Sequence, residues 1–208
     1  LPPGAALGQA DPTAPATGLM PIETAAMTRA IPARMREFAA GRRAARAAML
    51  ALGRPPGTVS QGTDRAPIWP KGITGTLSHG GGACIALVAS TQTTAGLGLD
   101  LEPAETLPAD LLDTVCTPVE RLMAARDQSG LLARMIFCAK EASYKAQYPQ
   151  TRQILDFHDL EIDFDGSGDR FITRLRRPCA PFRAETRWAG QILVKDSIVA
   201  ALVILPQA

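Results

Sequence analysis

Residues 73–102 read ITGTLSHGGGACIALVASTQTTAGLGLDLE, and this stretch decides the fold class of the chain. It contains three runs with the composition of β-strands, at 73–78, 83–90 and 95–102. Only a triple glycine and a polar, threonine-rich turn separate them, so consecutive strands are expected to pair as antiparallel neighbours. The stretch predicts an α+β fold with antiparallel sheets rather than a doubly wound parallel sheet.

Helical patterns lie on both sides of this stretch. Apolar residues recur at helical spacing from Pro32 to Leu52, with Gly41 as a candidate break into two helices. Thr117-Pro118-Val119-Glu120 predicts the start of another helix, because threonine caps a helix, proline suits its first position and glutamate completes a capping box. A further helix is predicted over about 130–148 and should end before Pro149. The remaining predictions are an extended or irregular lead-in over 1–21 and strands near 160–164, 170–176, 184–194 and 197–205.

The order of these elements divides the chain into two halves of similar length and content. The first half, 1–103, contains helix followed by strands, and the second half, 104–208, contains helices followed by strands. This layout predicts an internal repeat without visible sequence identity. Neither half carries a glycine-rich nucleotide-binding loop of the common kinds.

The composition is that of a globular protein and excludes several functional classes. The chain has 208 residues with 22 Lys and Arg against 20 Asp and Glu, so its net charge of +2 lacks the basic excess of a nucleic-acid binder. No apolar run reaches the roughly 18 residues that a membrane span needs. The four cysteines form no Cys-x-x-Cys, which predicts free thiols rather than a zinc site or a disulfide framework. Since the sequence shows no signal peptide, we expect a cytoplasmic protein.

Asp100 and Glu102 are the first candidate functional residues. Strand alternation places them on one face with Gly98, opposite three core-facing leucines. Carboxylates two residues apart on a strand lie within roughly 7 Å of each other, which suits oxygen ligation of a cation. The chain has only two histidines, so any metal would be held by oxygen, as Mg²⁺ prefers. The alternative is two solvated acids at an exposed sheet edge.

The segment Lys140-Glu141-Ala142-Ser143-Tyr144-Lys145 carries the second group of candidates. Glu141 and Lys145 are one helical turn apart and point away from the apolar stripe of the predicted helix. The simplest interpretation is an exposed ion pair that stabilises the helix by about 0.3 kcal/mol. If Glu141 instead converges with the two strand carboxylates, their repulsion requires a cation such as Mg²⁺. Lys140 and Lys145 would then face an anionic ligand, as in a phosphate or pyrophosphate site.

Two further groups precede these in the chain. Ser78 and His79 end a strand between glycines, which lets a ligand approach the backbone, although a structural histidine is the simpler interpretation. Arg42 and Arg46 lie one turn apart at the border of the apolar face of the first helix. Such a pair suits a phosphomonoester, and the alternative is a solvated basic helix.

These four groups, taken in order, resemble the signature of the 4'-phosphopantetheinyl transferases. The matching segments run from Glu37 to Arg46, from Trp69 to His79, from Gly98 to Glu102 and from Phe137 to Lys145. The resemblance is to the larger, monomeric type, particularly the branch of the enterobactin synthase component. Each motif is weak alone, but four in this order are specific. Thr76 stands where the family usually has serine, which keeps the hydroxyl.

The resemblance implies a fold, an activity and partners. The family transfers the 4'-phosphopantetheine arm of coenzyme A to a serine of an apo carrier protein and releases 3',5'-ADP. Its fold consists of two similar α+β halves related by a pseudo-twofold axis, with the ligand in the cleft between them. The resemblance thus assigns the 3'-phosphate and adenosine side to residues 1–103 and the Lys-Glu-x-x-x-Lys helix to 104–208. It implies a monomer that binds neither nucleic acid nor membrane.

Carried over by position, the resemblance also implies a role for each candidate residue. Mg²⁺, or Mn²⁺, would be bound together with the pyrophosphate by Asp100, Glu102 and Glu141. The 3'-phosphate end would be held by Arg42, Arg46 and His79, with Arg65 and Ser78 near the adenosine. Lys145 would stabilise charge on the phosphate that is cleaved, with Lys140 in support. Glu102 is the candidate base for the serine proton, which makes the candidate catalytic residues Glu102, Glu141 and Lys145.

Two other functions stay open at this point. A Mg²⁺-dependent hydrolase of a pyrophosphate or phosphodiester would use the same site without a protein acceptor, and a non-catalytic module would bind coenzyme A or a carrier without turnover. The acceptor is equally open among acyl, peptidyl and aryl carrier domains. Because such carriers tend to be acidic, the arginine-rich segments 34–54 and 170–187 are candidate docking surfaces, unless the acids within 156–169 neutralise them.

Overall fold

The structure, a computed structural model, describes residues 4–166 and 168–207. These residues form two compact units. The first contains the described chain up to Leu97 together with Pro206 and Gln207, and the second runs from Gly98 to Leu205. Each unit combines helices with a β-sheet, so the prediction of an α+β fold is confirmed.

The first unit packs a long helix on a three-stranded antiparallel sheet. Its elements, in chain order, are β1 (Ala5–Ala10), α1 (Pro21–Ala25), α2 (Pro32–Ala51), β2 (Ser60–Gln61), β3 (Pro67–Ile68), β4 (Ile73–Gly80), β5 (Ala83–Ser90) and the start of β6 (Thr94–Pro103). The sheet has the order β1-β5-β4, and β2 pairs with β3 in a separate ribbon. Helix α2 packs against β1 and β5 through alanines that are fully buried.

In the first unit, the lead-in is extended over β1, whereas the predicted break at Gly41 is wrong. Strand β1 pairs with β5 over six residues, although its sequence lacks the β-branched and aromatic residues typical of strands. A side chain at Gly8 of β1 would place its Cβ 2.1 Å from the carbonyl oxygen of Ala44, so the glycine permits close contact with α2. Helix α2 also runs unbroken through Gly41, which is buried against Leu77 and Cys84. Tertiary packing outweighs the weak helix propensity of glycine there.

The segment that follows β1 is held on α2 through its backbone. Arg43 donates hydrogen bonds to the carbonyl oxygens of Asp11, Pro15 and Thr17, at 3.0, 3.1 and 3.2 Å respectively. Arg46, one turn further along α2, donates to the carbonyl oxygen of Gly18. The two arginines therefore hold residues 11–18 against α2, and all four of these hydrogen bonds end on backbone carbonyl oxygens of that segment.

The second unit packs helices on a five-stranded sheet. After β6 it contains a 3-10 turn (Ala109–Leu111), α3 (Leu112–Val115), α4 (Pro118–Ala124), α5 (Leu132–Thr151), a second 3-10 turn (Phe157–Asp159), β7 (Leu160–Phe164), β8 (Arg170–Leu175), β9 (Arg187–Lys195) and β10 (Ile198–Pro206). The sheet has the order β6-β10-β9-β8-β7, and its pairs from β7 to β10 are antiparallel. Helix α5 packs against β7, β8 and β9.

The start of α4 is confirmed and the end of α5 is not. Thr117 accepts a hydrogen bond from the backbone of Glu120, whose carboxylate accepts one in return, so the capping box forms as predicted. Helix α5 continues past Pro149 by two residues. It ends at Arg152, which has the left-handed φ of 53° and donates its backbone N–H to Tyr148. A proline this near the end of a helix costs one backbone hydrogen bond without ending the helix.

The cysteines are free, as predicted. All four are buried without a disulfide: Cys84, Cys116, Cys138 and Cys179. Within the described ranges, no helix combines the length and the apolar character that crossing a bilayer requires.

Candidate active site

Strand β6 carries two of the candidate carboxylates, and it is buried on both faces. Asp100 is 5% exposed, and the leucines on the opposite face are buried as well. A Cβ added to Gly98 would lie 1.7 Å from the carbonyl oxygen of Ala142, so the backbone of α5 lies directly against the polar face of the strand. The alternative of solvated acids at an exposed sheet edge is therefore wrong. Strand alternation alone could not decide between the two interpretations, because it does not show that a helix covers the second face of the strand.

Two ion pairs join α5 to the strand carboxylates. The ammonium nitrogen of Lys145 lies 2.6 Å from Oδ1 of Asp100 and 3.2 Å from the carbonyl oxygen of Leu99. Arg134 lies 2.7 Å from Oε2 of Glu102. Lys145 and Arg134 are eleven residues apart, which is close to three helical turns, so both project from one side of the helix.

Arg134 belongs to this cluster, although the sequence did not single it out. Its guanidinium also donates to the carbonyl oxygens of Glu105 and Thr106, at 3.2 and 3.3 Å, so it holds Glu102 and the chain that follows β6 at the same time. The available signal was spacing, because Arg134 precedes Glu141 by seven residues and therefore shares its helix face.

Glu141 belongs to the same electrostatic environment. Burial raises the pKa of its carboxyl; Lys145 lowers it, and Asp100 and Glu102 raise it further. The pKa of Glu102 is likewise raised, first by burial and then by Asp100, against the opposing effect of Arg134. The three carboxylates therefore interact electrostatically with one another. Glu141 and Lys145 are not simply an exposed ion pair that stabilises the helix.

This cluster has the donor chemistry for a hard divalent cation. It consists of three carboxylates and two basic side chains, which leaves one negative charge in excess. All of the acidic donors are oxygen atoms, which are the ligands that Mg²⁺ prefers. No three His, Cys, Asp or Glu side chains form a ready metal-binding group within 4–166 and 168–207. In the arrangement described, Lys145 and Arg134 supply the positive charge beside two of the three carboxylates.

Lys140 does not occupy the position that the sequence predicted for it. Its side chain is 1% exposed, and its ammonium lies 2.6 Å from Glu120, 2.8 Å from the carbonyl oxygen of Val115 and 2.9 Å from that of Phe157. An ammonium has three N–H donors, and these three acceptors use them all. Successive residues of a helix point in directions about 100° apart, so Lys140 faces the interior while Glu141 points in a different direction. The structure therefore does not support Lys140 as a ligand for an anion.

The candidate arginines of the first unit also point inward. Arg42 donates from Nε to the carbonyl oxygen of Val59 at 2.9 Å and stacks 3.7 Å above the ring of Phe38; burial lowers its pKa to about 10. Arg46 lies 3.1 Å from the fully buried carboxylate of Glu23. The alternative of a solvated basic helix is wrong for this pair, whose charges already serve internal partners.

The other three candidates of the first unit differ in exposure. His79 is half-exposed, with Nε2 3.4 Å from the guanidinium of Arg34 and 3.7 Å from the carboxylate of Glu37. Ser78 is 8% exposed, and Arg65 is an exposed residue with a left-handed φ of 67°. These residues lie in the first unit, whereas the carboxylates and Lys145 lie in the second.

The predicted docking surfaces have much of their charge matched internally. In the second unit, Arg174 pairs with both Glu161 and Glu185, and Arg177 lies 2.9 Å from Asp159. In the first unit, Arg34 pairs with Glu37. The acids within 156–169 therefore neutralise part of the segment 170–187, as the sequence allowed.

Comparisons with known proteins agree across most of the chain. Two family models match, the 4'-phosphopantetheinyl transferase N-terminal domain over residues 22–89 and the 4'-phosphopantetheinyl transferase superfamily over 96–202. The chain is 41% identical to the 4'-phosphopantetheinyl transferase Npt of Nocardia iowensis over 153 residues, covering 72% of this chain and 69% of the relative. It is 39% identical to Svp of Streptomyces mobaraensis over 201 residues, covering 91% and 82%. It is 34% identical to enterobactin synthase component D of Escherichia coli O157:H7 over 92 residues, which is 42% of each chain.

Proposed function

The chain belongs to the 4'-phosphopantetheinyl transferase superfamily, and we propose that it moves the 4'-phosphopantetheine arm of coenzyme A to a serine of an apo carrier protein in a Mg²⁺-dependent reaction that releases 3',5'-ADP. One observation carries this proposal. The motifs Gly-x-Asp-x-Glu and Lys-Glu-x-x-x-Lys bring Asp100, Glu102, Glu141 and Lys145 into one partly buried electrostatic cluster.

The cation would be held by the three carboxylates of this cluster. Asp100, Glu102 and Glu141 offer only oxygen donors and carry more negative charge than Lys145 and Arg134 balance. When bound, Mg²⁺ or Mn²⁺ would neutralise the pyrophosphate of coenzyme A. The raised pKa values of Glu102 and Glu141 support this assignment, because a cation relieves the repulsion that contributes to them.

The transfer itself requires a base and a group that stabilises the leaving phosphate. The hydroxyl oxygen of the carrier serine forms a bond to the β-phosphorus, and the bond from that phosphorus to the bridging oxygen breaks. Glu102 takes the serine proton, directly or through a water molecule, and burial brings its pKa closer to neutrality, as a general base requires. Lys145 donates to the oxygen on which charge develops, and 3',5'-ADP leaves with the bonding electrons.

Residues of the first unit would bind the 3'-phosphate end of coenzyme A. His79 is the strongest candidate, because its ring is half-exposed and adjacent to Arg34. Arg42 and Arg46 would have to exchange internal partners for the phosphate, so we expect smaller contributions from them. Arg65 and Ser78 stay candidates near the adenosine. Lys140 is not proposed as a ligand of coenzyme A. We further propose that residues 1–103 bind the 3'-phosphate and adenosine, and that 104–208 supply the Lys-Glu-x-x-x-Lys helix.

The proposal also covers the cellular compartment, the oligomeric state and the acceptor of the enzyme. Four buried free thiols fit a reducing compartment such as the cytoplasm, where disulfides rarely form. We expect a monomer whose acceptor is an acyl, peptidyl or aryl carrier domain. Size-exclusion chromatography with light scattering checks the oligomeric state.

Intact-protein mass spectrometry tests the activity. An apo carrier incubated with the chain, coenzyme A and Mg²⁺ should gain one phosphopantetheine arm, and EDTA should prevent the gain. Coenzyme A cleaved while every carrier stays unmodified would favour a hydrolase. Intact coenzyme A and unmodified acyl, peptidyl and aryl carriers would favour a binding module and contradict the proposal.

A further inference from the structure

A buried ion pair involves Lys140, the residue that precedes Glu141 in α5. The ammonium of Lys140 lies 2.6 Å from Oε2 of Glu120, and both side chains are inaccessible to solvent. Such a pair is a poor source of stability, since taking two charges out of water costs about as much as their attraction returns. Well-packed apolar residues would stabilise the fold at least as well. The directional contacts of this pair therefore point to a role in fixing the arrangement of the parts that it joins.

The pair joins five segments of the second unit. Lys140, on α5, donates to Glu120 of α4, to the carbonyl oxygen of Val115 at the end of α3, and to that of Phe157 in the second 3-10 turn. Glu120 also accepts the backbone N–H of Ile162 in β7, at 2.7 Å. Every one of these bonds is directional, so the pair restrains both the axial position and the rotation of α5.

That restraint acts on the residue next along the chain. Glu141 follows Lys140, and a helix turns by about 100° per residue, so fixing one side chain fixes the direction of the other. Lys145, one turn beyond Glu141, is held by contacts of its own, to Asp100 and to the carbonyl oxygen of Leu99 in β6. An apolar residue in place of Lys140 would leave α5 free to rotate or slide slightly, because apolar contacts are not directional.

We propose that Lys140 is a positioning residue, which acts through its ion pair with Glu120 to set where Glu141 lies relative to the carboxylates of β6. This inference rests on the proposed function, because it assigns Glu141 and Lys145 to the site. It differs from an anion-binding role in a measurable way. A residue whose three N–H groups are already bonded inside the protein contributes nothing to the affinity for coenzyme A, whereas an anion ligand does.

The test compares two lysines of the same helix. Lys140→Met removes the ammonium and leaves Glu120 buried and charged, so Tm should fall. The double variant Lys140→Met/Glu120→Gln removes both charges and should recover most of that loss. Lys145→Met serves as the comparator inside the site, and Arg121→Gln, which breaks an exposed ion pair with Asp113 of the same unit, is the control.

Three quantities are measured for each variant. The affinity for coenzyme A is measured by calorimetry in EDTA, the affinity for Mn²⁺ by electron paramagnetic resonance, and kcat by carrier modification. We expect the double variant to bind coenzyme A within about three-fold of the wild type. Its Mn²⁺ affinity and its kcat should each fall about ten-fold. Lys145→Met should weaken coenzyme A binding by about ten-fold, and Arg121→Gln should change nothing.

Two results would overturn the inference. If the double variant loses about ten-fold in coenzyme A affinity, Lys140 is an anion ligand. If it keeps wild-type kcat and Mn²⁺ affinity, the pair contributes only to stability. Should Lys140→Met fail to fold, the double variant decides alone. If the wild type modifies no carrier, the proposed function fails while the two affinities still test positioning; a wild type that binds neither Mn²⁺ nor coenzyme A removes both.

Discussion

Replacing Gly98 by alanine should separate strand β6 from helix α5 and so disrupt both stability and catalysis. The added Cβ would lie 1.7 Å from the carbonyl oxygen of Ala142 and 2.8 Å from the backbone nitrogen of Ala146. Real contacts of this kind stay beyond about 3.0 Å, so strand and helix must separate by roughly 1.3 Å, the difference between these distances. No rotamer change relieves the overlap, because both neighbours are backbone atoms.

The size of the effect follows from this geometry. Overpacking a core costs typically 1–3 kcal/mol, and an overlap with backbone belongs at the upper end, at about 3 kcal/mol. For a chain of this size that corresponds to a fall in Tm of about 6–12 °C. The same movement lengthens the 2.6 Å contact between Lys145 and Asp100, so kcat should fall as well.

Thermal unfolding followed by circular dichroism measures the stability, and carrier modification measures kcat. Gly166→Ala is the matched control, because no atom lies within 4 Å of its added Cβ. A Gly98→Ala protein whose Tm stays within about 2 °C of the control would refute the close contact between β6 and α5.

Three further predictions concern charged side chains. Glu141→Gln should abolish transfer yet raise the Tm of the metal-free protein at pH 7–8, because burial raises the pKa of this carboxyl and ionisation destabilises the fold above that pKa. The difference in Tm should shrink as the pH falls through the folded pKa and vanish near the unfolded value of about 4.3; a difference independent of pH contradicts this reasoning. Arg46→Met should destabilise the fold by about 3 kcal/mol in urea titrations, because it leaves the fully buried Glu23 without its guanidinium; Arg121→Gln, which breaks an exposed pair, should cost under about 1 kcal/mol. Arg134→Gln should raise the pKa of Glu102 further and shift the acidic limb of the kcat profile to higher pH, and an unshifted limb would show that another group is the base.

The sequence predicted the elements of this fold wherever the local pattern and the tertiary contacts agree. The strands from 73 to 102 and the helix start at Thr117 depend on local signals, namely alternation, glycine turns and a capping box. Strand β1 and the unbroken α2 depend instead on contacts between distant segments. The close approach of Gly8 to Ala44, and the burial of Gly41, have no local signature.

The candidate site likewise contains some features that the sequence indicated and others that depend on tertiary contacts. The grouping of Asp100, Glu102 and Glu141 was implied by the resemblance to the family and not by spacing, which does not show that the strand and the helix meet. The direction of the basic residues was not predictable, since a pattern records spacing but not which side of a helix is covered. Lys140 faces the interior because Glu120 lies there, and the roles of Arg42 and Arg46 in binding stay predictions.

The attachment of residues 11–18 to α2 has a consequence for how the sequence can evolve. Arg43 and Arg46 contact this segment through carbonyl oxygens, which every amino acid possesses. Substitutions there leave the acceptors in place as long as the backbone can follow the same path. The segment can therefore diverge among relatives while the two arginines are retained, and a saturation mutagenesis map should show tolerance at 12–17 beside an intolerant position 43.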